Sequence, residues 1–380
     1  MKRIVILTLV LLTSLHSFSQ DDSRAITTAV PFLLIASDAR AAGLGDIGVA
    51  TSPDVYSQQW NPAKYVFSTK KMSVGISYTP YLAELVNDIS LLNANYYNRI
   101  NERSAFAFSL RYFGLGEIEL RQGPEEVGRI AKPNEFSLDG SYALKLSERF
   151  SMAVAGRYIR SDLRIQGVDP NATAGNSFAV DIAGYYQSER VFYNDFDGRW
   201  RAGFNISNIG PKIKYDEGGL DNTLPTNLKF GAGFDFIFDE FNTLVVATEF
   251  NKLLVPTPSD SNGDGNITSE DDYYNESFFN GIFSSFGDAP DGFGEELKEF
   301  TWALGAEYVY QDAFAFRTGY FNESADKGAR KFFTIGAGFK FKATTIDVSY
   351  LFSASRIRNP LENTLRFSLS FSFGEDYEEY

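Results

Sequence analysis

From residue 71 onward the chain alternates. In 363–373, Leu365, Phe367, Leu369, Phe371 and Phe373 share one parity, and Thr364, Arg366, Ser368, Ser370 and Ser372 the other. In 301–310, Trp302, Leu304, Ala306, Tyr308 and Tyr310 oppose Thr301, Ala303, Gly305, Glu307 and Val309. In 105–112, Phe106, Phe108, Leu110 and Tyr112 oppose Ala105, Ala107, Ser109 and Arg111. A period of two is the signature of a strand with one apolar face. Bulky apolar residues hold that face, while small and charged residues hold the other.

Fourteen such segments are read, near 71–79, 88–98, 103–113, 134–145, 149–162, 175–188, 198–208, 223–238, 241–252, 299–310, 313–321, 330–341, 344–352 and 363–373. Soluble strands average about 5–6 residues, whereas a tilted membrane strand needs about 9–11; most of these segments reach the second range. The joints alternate too. They are short at 99–102, 146–148, 239–240, 311–312 and 342–343, somewhat longer at 189–197, and long at 114–133, 163–174, 209–222 and 253–298. Outer-membrane barrels carry short periplasmic turns on one rim and long extracellular loops on the other. The pattern therefore predicts an all-β fold: a 14-stranded antiparallel transmembrane outer-membrane β-barrel over 71–373, with both termini periplasmic. Aromatic pairs near segment ends, Tyr96-Tyr97 and Tyr185-Tyr186, suit interfacial girdles. The alternative is a secreted β-sandwich or propeller, but no blade-length repeat is visible.

Residues 1–19 read as a signal peptide. Lys2 and Arg3 form a basic start, Ile4 to Leu15 an apolar run, and Ser17 and Ser19 a small-residue cleavage site before Gln20. Residues 20–70 do not alternate; they are rich in Ala and Gly and contain Pro53 and Pro62. A fourteen-stranded barrel is wider than its own side chains can fill, so this segment is expected to form an N-terminal hatch in the lumen, a periplasmic tail being the other reading. Asp38, Arg40, Asp46, Asn61 and Pro62 are its candidate residues, with ion pairs expected to lumen groups such as Arg111, Arg157, Arg317 and Arg366. The end of the chain, GEDYEEY at 374–380, reads as an acidic periplasmic tail.

Composition narrows the chemistry. The chain has no Cys and a single His, His16, which falls in the leader. Disulfides, thiolate metal sites and His-dependent triads are thereby excluded from the mature protein. The net charge is -14, and loss of Lys2 and Arg3 makes it -16, which argues against nucleic acid as a partner. No spacing singles out a pair of catalytic carboxylates, and the chain is expected not to be an enzyme.

Two motifs lie in the longest joint. DSNGDGNITSED at 260–271 fits an EF-hand loop: Asp260, Asn262, Asp264, Asn266, Thr268 and Asp271 stand at the ligand positions, and Gly265 at the sharp turn. Asp271 replaces the usual Glu, which lowers the expected affinity. No cofactor is required, and a structural Ca2+ is expected there, with an acidic solvated loop as the alternative. Further on, Phe278, Phe279, Ile282, Phe283 and Phe286 form one stripe of a short amphipathic helix. An apolar stripe on an outer loop needs a cover, either the barrel mouth beneath it or a partner protein.

The order of an Ala/Gly-rich ARAAGLG (39–45), an NPA (61–63) and fourteen strands resembles the FadL-type family of hydrophobic-compound channels, in which the first segment is a hatch. The stretches FFNGIFSSFGDAPDGFGEELKEF (278–300), RTGYFNESADKGARKFFTIGAGFKF (317–341) and NPLENTLRFSLSF (359–371) look closer to one branch, PorV of the type IX secretion system. The resemblance spans nearly the whole mature chain. It implies a non-enzymatic secretion component whose partners are the translocon barrel protein, secreted cargo C-terminal domains, the surface attachment complex and outer-membrane lipid. A FadL-like channel for hydrophobic small molecules is the alternative. Lipid A deacylation, suggested for relatives of the branch, sits poorly with a mature chain that lacks His.

Overall fold

Strands of this length place one face in lipid and the other against whatever fills the lumen. The structure, a computed structural model, describes residues 24–121, 128–164, 172–216, 220–355 and 359–377; the leader read at 1–19 lies outside them. Fourteen long strands form the wall: β1 (Lys70–Pro80), β2 (Ile89–Arg99), β3 (Ser104–Leu115), β4 (Asn134–Lys145), β5 (Phe150–Asp162), β6 (Gly175–Gln187) and β7 (Phe196–Ile209). Then follow β8 (Asn227–Ile237), β9 (Asn242–Leu253), β10 (Thr301–Tyr310), β11 (Phe314–Asn322), β12 (Lys331–Phe341), β13 (Thr344–Ser353) and β14 (Leu365–Asp376). Each pairs antiparallel with its sequence neighbours, and β14 returns to β1 with Val74 opposite Phe371. Closure leaves no unpaired edge, as a lipid environment demands. Two short pairings decorate the wall: Ile118–Leu120 with Arg129–Ala131, and Val191–Tyr193 with the start of β7.

The expected strand positions hold, with three adjustments at the ends. Residues 223–226 are loop rather than strand: Pro225 has no N–H to give a ladder, and the Thr223 carbonyl accepts the Ala29 N–H instead. The segment before β10 is helical through Lys298. Strand β14 runs past 373, with Asp376 opposite Lys70, so the start of the acidic tail extends the wall.

The outward face is apolar, carrying Val74, Ile76, Leu110, Val154, Leu304 and Ile335. Outward rings gather near both ends of this band. Trp302, Tyr320 and Phe333 lie in contact toward the long-loop rim, while Phe234, Phe236, Phe238, Phe196 and Trp200 meet near the short-turn rim. Two such girdles fit the two membrane interfaces.

The inward face is small or polar, and the N-terminal segment fills the space that this leaves. Inward Ala105, Ala107, Ala143, Ala153 and Ala183 pack against Tyr56, Tyr65, Val66 and Phe67 of the segment in one buried cluster. Small wall residues thus receive large plug residues. The fit is tightest where Gly319 faces the turn after the helix α1 (Ala39–Gly43): a methyl group on Gly319 would lie 2.1 Å from the Leu44 carbonyl carbon.

The two ends of the described chain stand at opposite rims. Arg24 is bound to Asp291 and Glu295 at the long-loop end, whereas Tyr377 is bound to the Thr69 carbonyl at the short-turn end. The reason is the path of the hatch. It enters from the long-loop end, descends through the lumen and joins β1 at the opposite rim.

Candidate functional site

Within the lumen the hatch is held by polar contacts that use its backbone as much as its side chains. Asn61 caps the turn Pro62–Phe67 by accepting the Ala63 N–H, and its Nδ2 donates to the Val49 carbonyl and to the Gly184 carbonyl of β6, both at 2.9 Å. Pro62, buried, opens that turn, where a missing N–H costs nothing. Asp38 caps α1 through the Ala41 N–H and accepts the Trp60 indole N–H at 2.7 Å. Both contacts of Asp38 are internal to the hatch.

Arg40 and Asp46 reach the wall. Arg40 lies 2.9 Å from Asp54 within the hatch and 2.9 Å from Glu307 on β10, while Arg317 bridges Glu307 and Asp347 beside it. Asp46 meets Arg366 at 3.3 Å. Of the four arginines expected to receive the hatch, Arg366 does so through a carboxylate and Arg111 through the Leu33 carbonyl at 3.1 Å. Arg157 serves the wall itself, binding Asp139, Asp181 and Asn208. That cluster sits beside a break in the β6–β7 ladder between Ile206 and Ile209, where Asn208 adopts φ 61°. A second register shift, between Lys70 and Met72, occurs near the short-turn rim, and the ladder pairs on both sides of β3 run without a shift.

Three anchors escaped the reading of the sequence. Glu249 of β9, fully buried, accepts the Gly48 and Val49 N–H groups at 2.8 Å each. Lys64, also fully buried, donates to the Gly48 carbonyl and to Thr51 Oγ1. Lys229 lies over the Trp60 ring, 4.4 Å from its centroid. Nothing local marks Glu249, whose partners are about 200 residues away; the only cue is an acid on the inward parity of a strand.

Hatch and loops border a half-open cavity of about 510 Å3 at the long-loop end. Pro31, Phe32, Ile35, Tyr81, Phe113 and Leu361 line it, with Lys229 and Asp46 at its polar side.

The long loop rises above this cavity. In 260–271 the carboxylates turn onto the loop's own backbone. Asp260 accepts the Gly263 and Gly265 N–H groups; Asp271 accepts those of Ser261, Asn262 and Thr268. The Thr268 N–H first, then the Ser261 and Asn262 N–H groups, hold the Asp271 carboxyl below the usual carboxylate range against the opposing effect of burial. Asn262 and Asp264 each accept the N–H two residues on, as Asx turns do, and Asn266 and Thr268 complete the loop. Among the described residues, the three acids whose oxygens lie within 4.8 Å of one another are different ones: Asp288, Glu296 and Glu299. The Lys252 ammonium already sits there, 2.7 Å from Glu296 and 2.5 Å from Glu299.

The stripe is helical over Phe278–Ser284, capped by Ser277. Phe279, Phe283 and Phe286 are exposed, Phe283 at 65%, while Phe278 and Ile282 are half-buried. The next short helix, Phe293–Lys298, adds Phe293 at 76% and Leu297 at 55%.

The family model described as "Type IX secretion system protein PorV" matches residues 18–260. Solved structures share the fold at low identity. A monoaromatic hydrocarbon channel, the TodX ΔS2S3 mutant, is 10% identical with a TM-score of 0.53, covering 89% of this chain and 98% of its own. The toluene transporter TodX of P. putida is 9% identical with a TM-score of 0.51, over 88% and 98%. A FadL homologue of Pseudomonas aeruginosa is 14% identical with a TM-score of 0.47, over 92% and 99%. Among curated proteins, none matches the chain.

Proposed function

The chain belongs to the PorV family of type IX secretion system proteins, as an outer-membrane barrel of FadL-like fold, and from that premise we propose that it is a binding component of secretion rather than an enzyme or a conduit. In this reading the long loop docks on the translocon barrel protein. The same protein receives secreted cargo by its C-terminal domain and hands it to the surface attachment complex, with outer-membrane lipid around the wall. The observation that carries the proposal is the exposed set Phe279 and Phe283 on one short loop helix, Phe286 just past its end, and Phe293 and Leu297 on the next. Apolar side chains held out from a barrel are a protein-binding surface waiting for its cover. The hatch packed against the inward face of the wall favours a binding role over an open conduit.

The second reading is a channel for hydrophobic small molecules, favoured by the apolar cavity under the loops. One experiment separates them. The protein is tagged at its C-terminus, extracted in mild detergent with calcium, and its companions are identified by mass spectrometry. The secretion role expects a very large barrel protein and secreted proteins that share one C-terminal domain. The variant Phe279→Asp/Phe283→Asp is expected to lose them while keeping its heat-modifiable barrel mobility on gels. Recovery of the protein alone, with a bound lipid or fatty acid, would instead support the channel.

A further inference from the structure

Residues 24–36 connect two parts of the molecule that have otherwise been described separately. At the top, Arg24 lies 2.7 Å from Glu295 and 3.1 Å from Asp291 in the long loop. Glu295 is nearly buried, and its other oxygen takes Lys327, from the segment between β11 and β12, at 2.7 Å. Lys327 also binds Glu299, which binds Lys252 at the end of β9. Arg24 therefore plugs into an ion network that fixes the base of the loop. At the bottom, Phe32 stacks on Phe113 of β3, the Leu33 carbonyl takes Arg111, and the Ile35 carbonyl takes the Gln59 amide inside the hatch. Between the two ends, residues 25–28 border the cavity and are only partly buried.

We propose that residues 24–36 are a tether that couples the position of the long loop to the seating of the hatch. The loop cannot leave the mouth without either lifting the tether or breaking the contact of Arg24 with Glu295. The upper residues are the cheaper part to move, because Thr27 is exposed and Arg24, Ala25, Ile26 and Thr28 are only partly covered; the lower ones are locked by Phe32 and Arg111. Asp291, 73% exposed, adds little, since solvent screens such pairs. The Arg24–Glu295 contact is the latch. Coupling of this kind is reciprocal: a loop drawn outward loosens the hatch, and a loosened hatch frees the loop. The proposal rests on the docking role of the loop for what draws it outward, but its test needs no partner.

The chain has no Cys, so a single reporter can be placed cleanly. Ala36, 1% exposed within the hatch, is changed to Cys in the full-length purified protein. Its modification by a small, charged thiol reagent is timed in detergent. Arg24→Gln and Glu295→Gln are each expected to speed labelling by about tenfold, the scale of one charge-assisted contact. The double variant is expected to be no faster than Glu295→Gln alone, which already removes the contact that Arg24→Gln breaks and weakens the Lys327 pair as well. Lys298→Gln, which breaks the rim pair with Asp326, is expected to leave the rate unchanged. Should Glu295→Gln lose heat-modifiable mobility, Arg24→Gln, on a half-buried side chain, decides alone. Rates within twofold of the parent for Arg24→Gln overturn the tether while leaving loop docking untouched.

Discussion

At the level of single residues, the seat of the hatch rests on side chains that satisfy buried backbone groups. Both Nδ2 hydrogens of Asn61 are spent on carbonyls, one in the hatch and one in the wall. Asn61→Ala removes both bonds and leaves the buried Val49 carbonyl without its partner, a cost of about 1–3 kcal/mol. The hatch is expected to become cleavable by added protease while the barrel keeps its heat-modifiable mobility. Gly319→Ala tests shape instead of bonding. Its methyl group would meet the backbone of Leu44 and Gly45, which cannot yield as a flexible side chain does. The same assay is expected to show a displaced hatch on an intact wall; unchanged protection would mean that the α1 turn has slack. Asn61 and Pro62 could be read from the chain because they sit in a compact motif. Lys64 and Glu249 could not, because their partners are named only once the lumen exists.

Among the elements, the wall was the most legible and the loops the least. Alternation is written into each strand by itself, so nearly every strand was placed to within a few residues. The helix Phe278–Ser284 was visible for the same reason, its stripe and its Ser277 cap being local. The loop 260–271 is different: its sequence lists oxygens but not where they turn. Asp271 must give up three backbone N–H groups to reach an ion, so any calcium binding is expected at millimolar levels or weaker. Calorimetric titration of the full-length protein checks this, and a micromolar constant would contradict it. Glu295 supplies a pH test. Burial pushes its carboxyl up, yet Lys327, the Asp291 N–H and Arg24 together hold it below the ordinary value of 4.5. A depressed carboxyl stabilises the folded loop above that value and loses this contribution as pH falls through its own lower pKa. The loop's protection from protease is therefore expected to be the same at about pH 7 and about pH 5, and to fall only under stronger acid. A loss near neutral pH would show that Glu295 does not hold the loop.

For the molecule as a whole, the two ends of the described chain lie at opposite rims. A tag inserted just before Arg24 is expected to be reached by antibody from the long-loop side of intact cells, and a C-terminal tag only after the outer membrane is permeabilised. Equal access to both tags would contradict the path described for the hatch. This path was not legible in the sequence. An even strand count fixes where the first and last strands stand, but it says nothing of where a segment ahead of the first strand begins.

Tyr56 of the hatch places its hydroxyl 2.9 Å from the Ile76 carbonyl of β1 and 2.9 Å from the Leu369 carbonyl of β14, the two strands that close the ring. The hatch thus touches the last strand across some three hundred residues of sequence. Contacts so distant form late, after the entropy of closing long loops has been met. The rings of Tyr56, Tyr65 and Phe67 pack against Ala105, Ala107 and Ala183 in one buried cluster. The seam at which the ring closes is therefore also a point at which the hatch is held, so whatever loosens one bears on the other.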